Sequence, residues 1–262
     1  HERHTVGFGL TLGQQSLELT GLEFLAPLSE QPDKLTDQGK DSVFSVGFTL
    51  GWLVDLAPDL KLGLVYRSKA WTEKHEDYAG VLPEGGRLEL PAIFGGGLTY
   101  TGLPDLTLSV EYQRYQYEDE VAFANRVSQL AAGNLLGSAD GPGFGIKNQN
   151  AYKFGVAWDA HTHLKLRAGY VAVSQSVRSS ETLFGILGTL GATDVYSMGA
   201  TFDSGGWELT SLVWYNPRDG VKGVNSIPPA FGGGEVDVSN ELFGFGFFHF
   251  DHFFFFDQYV LY

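Results

Sequence analysis

The sequence predicts an all-β fold, a transmembrane antiparallel up-and-down β-barrel. Three observations support this: apolar residues alternate with small or polar ones, connections alternate between short and long, and aromatic residues mark strand ends. Successive side chains of a strand point to opposite faces, so the alternation gives each strand one apolar face. Tryptophans fall beside short turns and tyrosines beside long loops, as in the two aromatic girdles of a membrane barrel. The predicted girdle residues are Trp52, Trp158, Trp207, Tyr66, Tyr112, Tyr170 and Tyr215.

The hairpin over residues 43–68 shows the pattern most clearly. Its first arm alternates apolar with small or polar residues from Phe44 to Val54, and its second arm repeats this from Leu60 to Tyr66. The short turn between the arms contains proline and aspartate, which end strands for local steric reasons. A soluble sandwich also alternates. The positions of the aromatic residues favour the membrane barrel.

The same alternation predicts about eleven strands along the chain. They are residues 5–12, 16–22, 43–54, 60–68, 87–101, 106–113, 152–158, 164–170, 194–202, 207–215 and 241–250. Short turns are predicted at 13–15, 55–59, 102–105, 160–163 and 203–206, and long extracellular loops at 23–42, 69–86, 116–149, 175–193 and 216–238. A barrel with short periplasmic turns has this order. Residues 1–250 would form the barrel and 251–262 an aromatic tail of unknown role.

Composition and charge exclude several protein classes. The 262 residues, with 43% hydrophobic content and 35 glycines, suffice for one large β domain. The absence of cysteine excludes a disulfide framework and thiol catalysis. A net charge of -14 argues against a nucleic-acid partner. No apolar run is long enough for a transmembrane helix, which leaves a closed barrel as the spanning structure. No signal peptide precedes the first strand pattern, so we expect a mature form or a fragment.

The sequence gives little support for catalysis, a cofactor or a metal. The histidines are scattered, and their spacing reveals no Ser/Asp arrangement for nucleophilic chemistry. His161 and His163 flank a short turn, but two ligands make only a weak metal site. The glycines at 232–234 lack the strand-to-helix context of a phosphate loop. We therefore expect no enzymatic activity, no cofactor and no metal.

Several short stretches resemble the FadL/OmpP1/TodX family of outer-membrane transporters of long-chain fatty acids and other hydrophobic compounds. They are GW at 51–52, LGLVYRSK at 62–69, LPA at 90–92, LSVEY at 108–112, NAYKFG at 150–155 and NSIPP at 225–229. The resemblance covers about residues 7–250. It implies a fourteen-stranded barrel plugged by an N-terminal hatch, of which these strands would be the last eleven. It also implies passive uptake through a loop groove, the barrel lumen and a lateral exit.

Three sets of residues would serve such a route. Apolar residues in the long loops mark a binding surface, with the alternative that the two loops pack on each other as a lid. Cations on the lumen parity would pair with a ligand carboxylate, with the alternative of ion pairs to Glu111, Asp159 and Glu208. Pro91 and the following glycines would kink a strand, with the alternative of an ordinary bulge. The candidates are Leu130, Leu135, Phe184 and Leu187 for the surface, Lys147, Lys153, Arg67 and Arg167 for the carboxylate, and Pro91, Gly95 and Gly96 for the kink.

The sequence therefore predicts passive outer-membrane transport of long-chain fatty acids or other hydrophobic compounds. The expected partners are hydrophobic small molecules and outer-membrane lipid. The alternative is a structural or accessory β-barrel subunit with protein partners in a larger cell-envelope complex. A general porin is a third hypothesis, and single-channel conductance would distinguish it from a plugged transporter.

Overall fold

One antiparallel sheet of eleven strands makes up the fold, in a computed structural model that describes residues 3–185 and 194–251. The strands are β1 (His4–Leu17), β2 (Asp41–Ala57), β3 (Leu60–Arg67), β4 (Trp71–Thr72), β5 (Ile93–Leu103), β6 (Leu106–Tyr115), β7 (Gln149–His161), β8 (Leu164–Val173), β9 (Asp194–Asp203), β10 (Trp207–Val221) and β11 (Val238–Asp251). Each long strand pairs with its sequence neighbours, and β4 pairs beside β2. Within the described ranges, β1 and β11 have one paired neighbour each. The predicted all-β, up-and-down architecture and the number of strands are confirmed.

The first strand differs from its prediction. β1 runs unbroken to Leu17, so the predicted turn at 13–15 and the separate strand at 16–22 are wrong. Gly13 faces Ser45 and Gln15 faces Val43, so pairing with β2 continues through the predicted turn and overrides local turn propensity. The sheet still has eleven strands, because the short strand β4 was not predicted and takes the place of the missing one in the count. The ten long strands therefore begin and end at the same edge of the sheet, the one with the short turns.

β5 also differs from its prediction. It begins at Ile93 and not at residue 87, because Pro91 cannot donate to a ladder. Its register to β3 and β6 is continuous through residues 95–97, so the alternative of a bulge at these glycines is wrong, and the kink stays a prediction. Close neighbours explain the glycines instead. A Cβ on Gly95 would lie 2.9 Å from Val65 Cγ1, and one on Gly97 would lie 2.7 Å from the Val110 carbonyl oxygen.

The two faces of the sheet differ in chemistry. On the outer face, as we call it, large apolar side chains are exposed, among them Phe154 at 50%, Met198 at 65% and Phe245 at 70%. On the opposite, inner face, the same strands carry glycine, serine, threonine and charged residues, as where Glu111 pairs with Lys153 in the register of β6 and β7. An exposed apolar surface of this extent is typical of a face that contacts lipid or another protein.

The helical segments that the structure describes in the long connections are all short. These are the 3₁₀ turns Glu23–Leu28, Pro32–Lys34, Glu76–Tyr78, Tyr117–Asp119, Val127–Gln129, Ser179–Glu181 and Pro229–Phe231, and the α-helical turns Pro83–Gly86, Val121–Ala124 and Thr182–Gly185. The helix predicted near residue 127 is thus a single 3₁₀ turn. Within residues 3–185 and 194–251, no helix has the length and apolar content to cross a membrane. The predicted aromatic tail lies outside the described residues from position 252 onward.

The long connections all leave the same edge of the sheet and pack together into a layer that we call the cap. It consists of residues 18–40, 68–92, 116–148, 174–185 and 222–237. Leu25, Leu35 and Leu136 form its apolar core. Contacts join the connections into a ring in sequence order and close it from the last to the first. The joining pairs are Ser29 with Gly80, Gly85 with Gly137, Val127 with Glu181, Thr182 with Val236, and Phe231 with Phe24.

Candidate functional site

A belt of tyrosines crosses the outer face beside the cap. Tyr112 and Tyr152 lie with ring centroids 5.3 Å apart, and Tyr170 and Tyr196 with centroids 5.0 Å apart. The hydroxyls point to polar side chains nearer the cap. Tyr112 donates to Asn150 at 2.7 Å, Tyr170 to Asp194 at 2.9 Å, and Tyr215 to Glu241 at 2.7 Å. An apolar ring with a hydrogen-bonded polar tip suits the boundary between lipid and water.

A second belt lies at the short-turn edge of the outer face. Trp52, Trp158 and Trp207 are exposed there, and Trp207 packs beside Phe202 at 5.7 Å between ring centroids. The structure thus places all seven predicted girdle residues on the outer face, by the registers of their strands. Tyr152 and Tyr196 belong to the same belt but were not predicted, because only the register shows that they lie level with the other tyrosines.

Four cations of the inner face already have partners there. Lys153 Nζ lies 3.3 Å from Glu111 Oε1, Lys165 Nζ lies 3.1 Å from Asp159 Oδ1, and Arg167 donates to the Thr201 hydroxyl. Lys61 Nζ lies 3.8 Å from Asp55 Oδ1. These contacts support the ion-pair alternative for Lys153. Arg167 has a neutral partner and no ion pair among the residues that the structure describes.

Arg67 and Lys147 differ from these cations. The side chain of neither one forms an ion pair or hydrogen bond with any residue that the structure describes. Arg67 is exposed at the cap end of the inner face on β3, and Lys147 is exposed in the cap itself. Of the four predicted carboxylate-binding cations, these two are therefore available to a ligand. Their binding role stays a prediction.

The predicted apolar binding surface is partly buried within the cap. Leu130, Leu135 and Phe184 are half-buried, whereas Leu187 lies outside the described residues. The two connections that carry them are joined at Val127, whose N–H donates to buried Glu181 at 2.8 Å. This joining supports the lid alternative, and a role in ligand binding stays a prediction.

An aromatic ladder runs from the inner face into the cap. Tyr115 ends β6 on the inner face, and its ring stacks on Tyr117 with centroids 6.2 Å apart. Tyr117 meets Phe123 at 5.3 Å, and Phe123 meets Phe144 at 5.7 Å. All four rings are half-buried. Sequence reasoning missed the ladder because its spacing follows neither strand nor helix periodicity.

A cluster of charges joins two connections of the cap. Lys69 Nζ lies 2.5 Å from Glu89 Oε2 and 3.4 Å from Glu120 Oε2, around a cavity of about 140 Å³. Arg87 adds a contact of 3.9 Å to Glu89 and one of 2.8 Å to Glu84. Burial raises the pKa of Glu120 to about 7, against the opposing charge of Lys69. In the described parts of the chain, no three histidine or acidic side chains come together as metal ligands would.

An apolar groove of about 610 Å³ lies on the outer face, across β7 to β10. Small side chains at Ala168, Ala200 and Ser211 open it, and Trp158 and Met198 are among the larger residues that line it. The Ser211 hydroxyl donates to the Ala200 carbonyl at 3.3 Å, so the groove floor holds no free hydroxyl donor there. The groove has the chemistry to hold an apolar chain or ring.

Solved structures share this fold. No family model matches the chain, and no curated protein sequence matches it. The toluene transporter TodX of Pseudomonas putida aligns with a TM-score of 0.63 and 13% identity, over 96% of this chain and 66% of that one. A FadL homologue of Pseudomonas aeruginosa aligns with a TM-score of 0.57 and 15% identity, over 95% and 64% of the two chains. The toluene transporter TbuX of Ralstonia pickettii aligns with a TM-score of 0.55 and 13% identity, over 84% of this chain and 60% of that one.

The chain thus spans 60 to 66% of the length of these three structures. Because the sequence identities are only 13 to 15%, the structural likeness establishes a shared fold and not a shared activity. The fold that the sequence predicted by resemblance is confirmed. The chain has the up-and-down β fold of the FadL-like barrels of the outer membrane.

Proposed function

We propose that this chain is an outer-membrane β-barrel protein that passively transports hydrophobic compounds. One observation carries the proposal: the sheet has an exposed apolar outer face, bounded by a tyrosine belt and a tryptophan belt, and a small, polar inner face. A strand in lipid needs this division of side chains. A soluble β domain would instead bury one of its faces in a core.

The fold and the cap support hydrophobic cargo. The structures that share the fold carry the names of toluene transporters and of a FadL homologue, so monoaromatic hydrocarbons and long-chain fatty acids are the two substrate classes to test. The cap would take up such a molecule between its connections, and the inner face would pass it on. Pro91, Gly95 and Gly96 form one proposed lateral exit, and the groove near Trp158 offers a second apolar surface on the lipid side.

Uptake by whole cells tests the proposal. The full chain is produced in a Gram-negative host that lacks its own hydrophobe transporter, and initial uptake of labelled toluene and labelled oleate is measured. Uptake of either compound should rise above that of cells carrying the empty vector. A folded, heat-modifiable band in the outer membrane without any gain in uptake would overturn the proposal.

A structural or accessory subunit is the second candidate. β1 and β11 each have one paired neighbour among the described residues, and β1 exposes Val6, Phe8 and Leu12 at 77, 67 and 83%. A strand edge with exposed apolar residues pairs readily with further β structure. Copurification of a stoichiometric envelope protein, together with no hydrophobe uptake, would favour this candidate. A large open conductance in planar bilayers would favour a general porin.

A further inference from the structure

Arg67 occupies an unusual position among the inner-face cations. Lys61, Lys153 and Lys165 each have a carboxylate within 4 Å, and Arg167 has the hydroxyl of Thr201. The Arg67 side chain has no such partner among the residues that the structure describes. It also lies at the cap end of the inner face, because β3 ends there and the chain turns into residues 68–92. An unpaired guanidinium is a strong binding group for an anion.

Arg67 and the aromatic ladder lie in the same row of the sheet. Arg67 faces Ile93 on β5, and Ile93 faces Tyr115 on β6. Neighbouring strands lie about 4.8 Å apart, so roughly 10 Å separates the backbones of Arg67 and Tyr115. Only Ile93 lies between them, and the guanidinium is within electrostatic range of the Tyr115 hydroxyl. The row therefore places the strand positions of the cation and of the first ring of the ladder on the same face, two strands apart.

The anionic side chains nearby are already engaged. Glu111, four residues before Tyr115 on the inner face of β6, pairs with Lys153. Asp119 accepts a hydrogen bond from Gln116 Nε2 at 2.5 Å. Glu89 and Glu120 share Lys69, two residues beyond Arg67. None of these carboxylates neutralises Arg67.

We propose that Arg67, Tyr115 and Tyr117 form a binding site for an aromatic carboxylate at the mouth of the inner face. The guanidinium would donate two parallel N–H hydrogen bonds to the carboxylate, and the rings would contact the face or edge of the aromatic group. A neutral arene would lack the ion pair with Arg67, and an aliphatic acid would lack the contacts with the tyrosine rings. The inference rests on the proposed transport function and narrows its substrate class to ring-bearing acids.

Binding is tested on the full chain in detergent, with benzoate as the probe and ligand-observed saturation-transfer NMR as the readout. Benzoate is water-soluble, so its signal does not depend on partition into micelles. Arg67→Gln should weaken benzoate binding by about threefold to tenfold, because solvent screening at an exposed site reduces an ion pair to about the net strength of one ordinary hydrogen bond. Lys61→Gln is the matched control, because it removes an inner-face cation from the same strand. Tyr117→Leu should weaken benzoate binding, and Tyr112→Leu on the outer face should not.

Octanoate and toluene complete the design. Octanoate should bind more weakly than benzoate and be insensitive to Tyr117→Leu, whereas toluene uptake should be insensitive to Arg67→Gln. Equal loss of benzoate binding in Arg67→Gln and Lys61→Gln would overturn the site, and so would equal binding of benzoate and octanoate. If the wild-type chain takes up toluene or oleate but binds no benzoate, the site fails and the proposed function stands. If the wild-type chain takes up no hydrophobic compound, the proposed function fails, whatever the result of the benzoate binding measurement.

Discussion

The Lys69 ammonium lies 2.5 Å from a carboxylate oxygen of Glu89, and only 5% of the Glu89 side chain is exposed. The same ammonium lies 3.4 Å from Glu120, whose side chain is 7% exposed. Glu120 belongs to a different connection, so one cation holds two buried carboxylates and joins two parts of the cap. Burial lowers the pKa of Lys69, but the hydrogen bonds and charges of Glu89 and Glu120 together outweigh burial and raise it, so the ammonium stays charged.

Replacing Lys69 by methionine should destabilise the cap by about 3 to 5 kcal/mol. Buried Glu120 would lose its cation, and Glu89 would keep only Arg87, at 3.9 Å, among the cations that the structure describes. Urea titration of the full chain in lipid vesicles, followed by hydrogen exchange of residues 84–92 and 117–124, measures the effect. Lys74→Met is the control, since its ammonium only donates to the exposed Glu84 carbonyl. Equal protection in the two variants would contradict the assignment of Lys69 as the joining residue.

The pH dependence of the cap follows from Glu120. Its pKa is raised to about 7 by burial, whereas an unfolded glutamate ionises near pH 4.3. Between these values the folded cap binds more protons than the unfolded one, so its stability falls as pH rises. The contribution of the protonated carboxyl is complete below about pH 4.3 and is lost above about pH 7. The other charged groups around the same cavity are Lys69, Glu84, Arg87, Glu89 and Asp119.

Hydrogen exchange of residues 117–124, corrected for intrinsic rates, should therefore be faster at pH 8 than at pH 5. Glu120→Gln stays neutral and should abolish this difference, while it keeps a hydrogen-bonding side chain at the position. Glu118→Gln is the control, because its carboxylate is exposed and contacts Arg178. A pH difference that persists in Glu120→Gln would assign the effect to another group.

Alternation within each strand was enough to predict the fold, since residues of one parity share a face and the long strands repeat the pattern. The same signal does not show where a strand ends when tertiary pairing continues through a turn-like sequence, as at Gly13. Nor does it show which cations find partners. Lys153 and Arg67 look alike in the sequence, and only the register with Glu111 separates a paired cation from an unpaired one. The ladder from Tyr115 to Phe144 depends on loop conformation, which has no period.

The glycines of β5 provide a test of close packing. A Cβ on Gly97 would lie 2.7 Å from the Val110 carbonyl oxygen, a backbone atom that cannot move alone. Gly97→Ala should cost about 1 to 3 kcal/mol through overpacking. Gly51→Ala on β2 is the control, since no atom lies within 4 Å of its Cβ position. The measurement is the free energy of unfolding of each variant in vesicles. Equal free energies for Gly97→Ala and Gly51→Ala would show that the backbone of β5 can shift to accommodate the added methyl group.

The assignment of the two faces is tested by a pair of adjacent residues on β6. Val110 points to the outer face, where 45% of its surface is exposed, and Ser109 points to the inner face. Val110→Lys would place an ammonium in lipid between the two aromatic belts, at a cost of about 2 to 4 kcal/mol near the bilayer midplane. Ser109→Lys would place the same group on the polar inner face, where water and the Glu111 carboxylate two residues along can stabilise it, so its cost should be below about 1 kcal/mol. Urea titration in phospholipid vesicles measures both free energies. Similar costs, or a larger cost for Ser109→Lys, would mean that the face called outer here does not contact lipid, and the membrane assignment would fail with it.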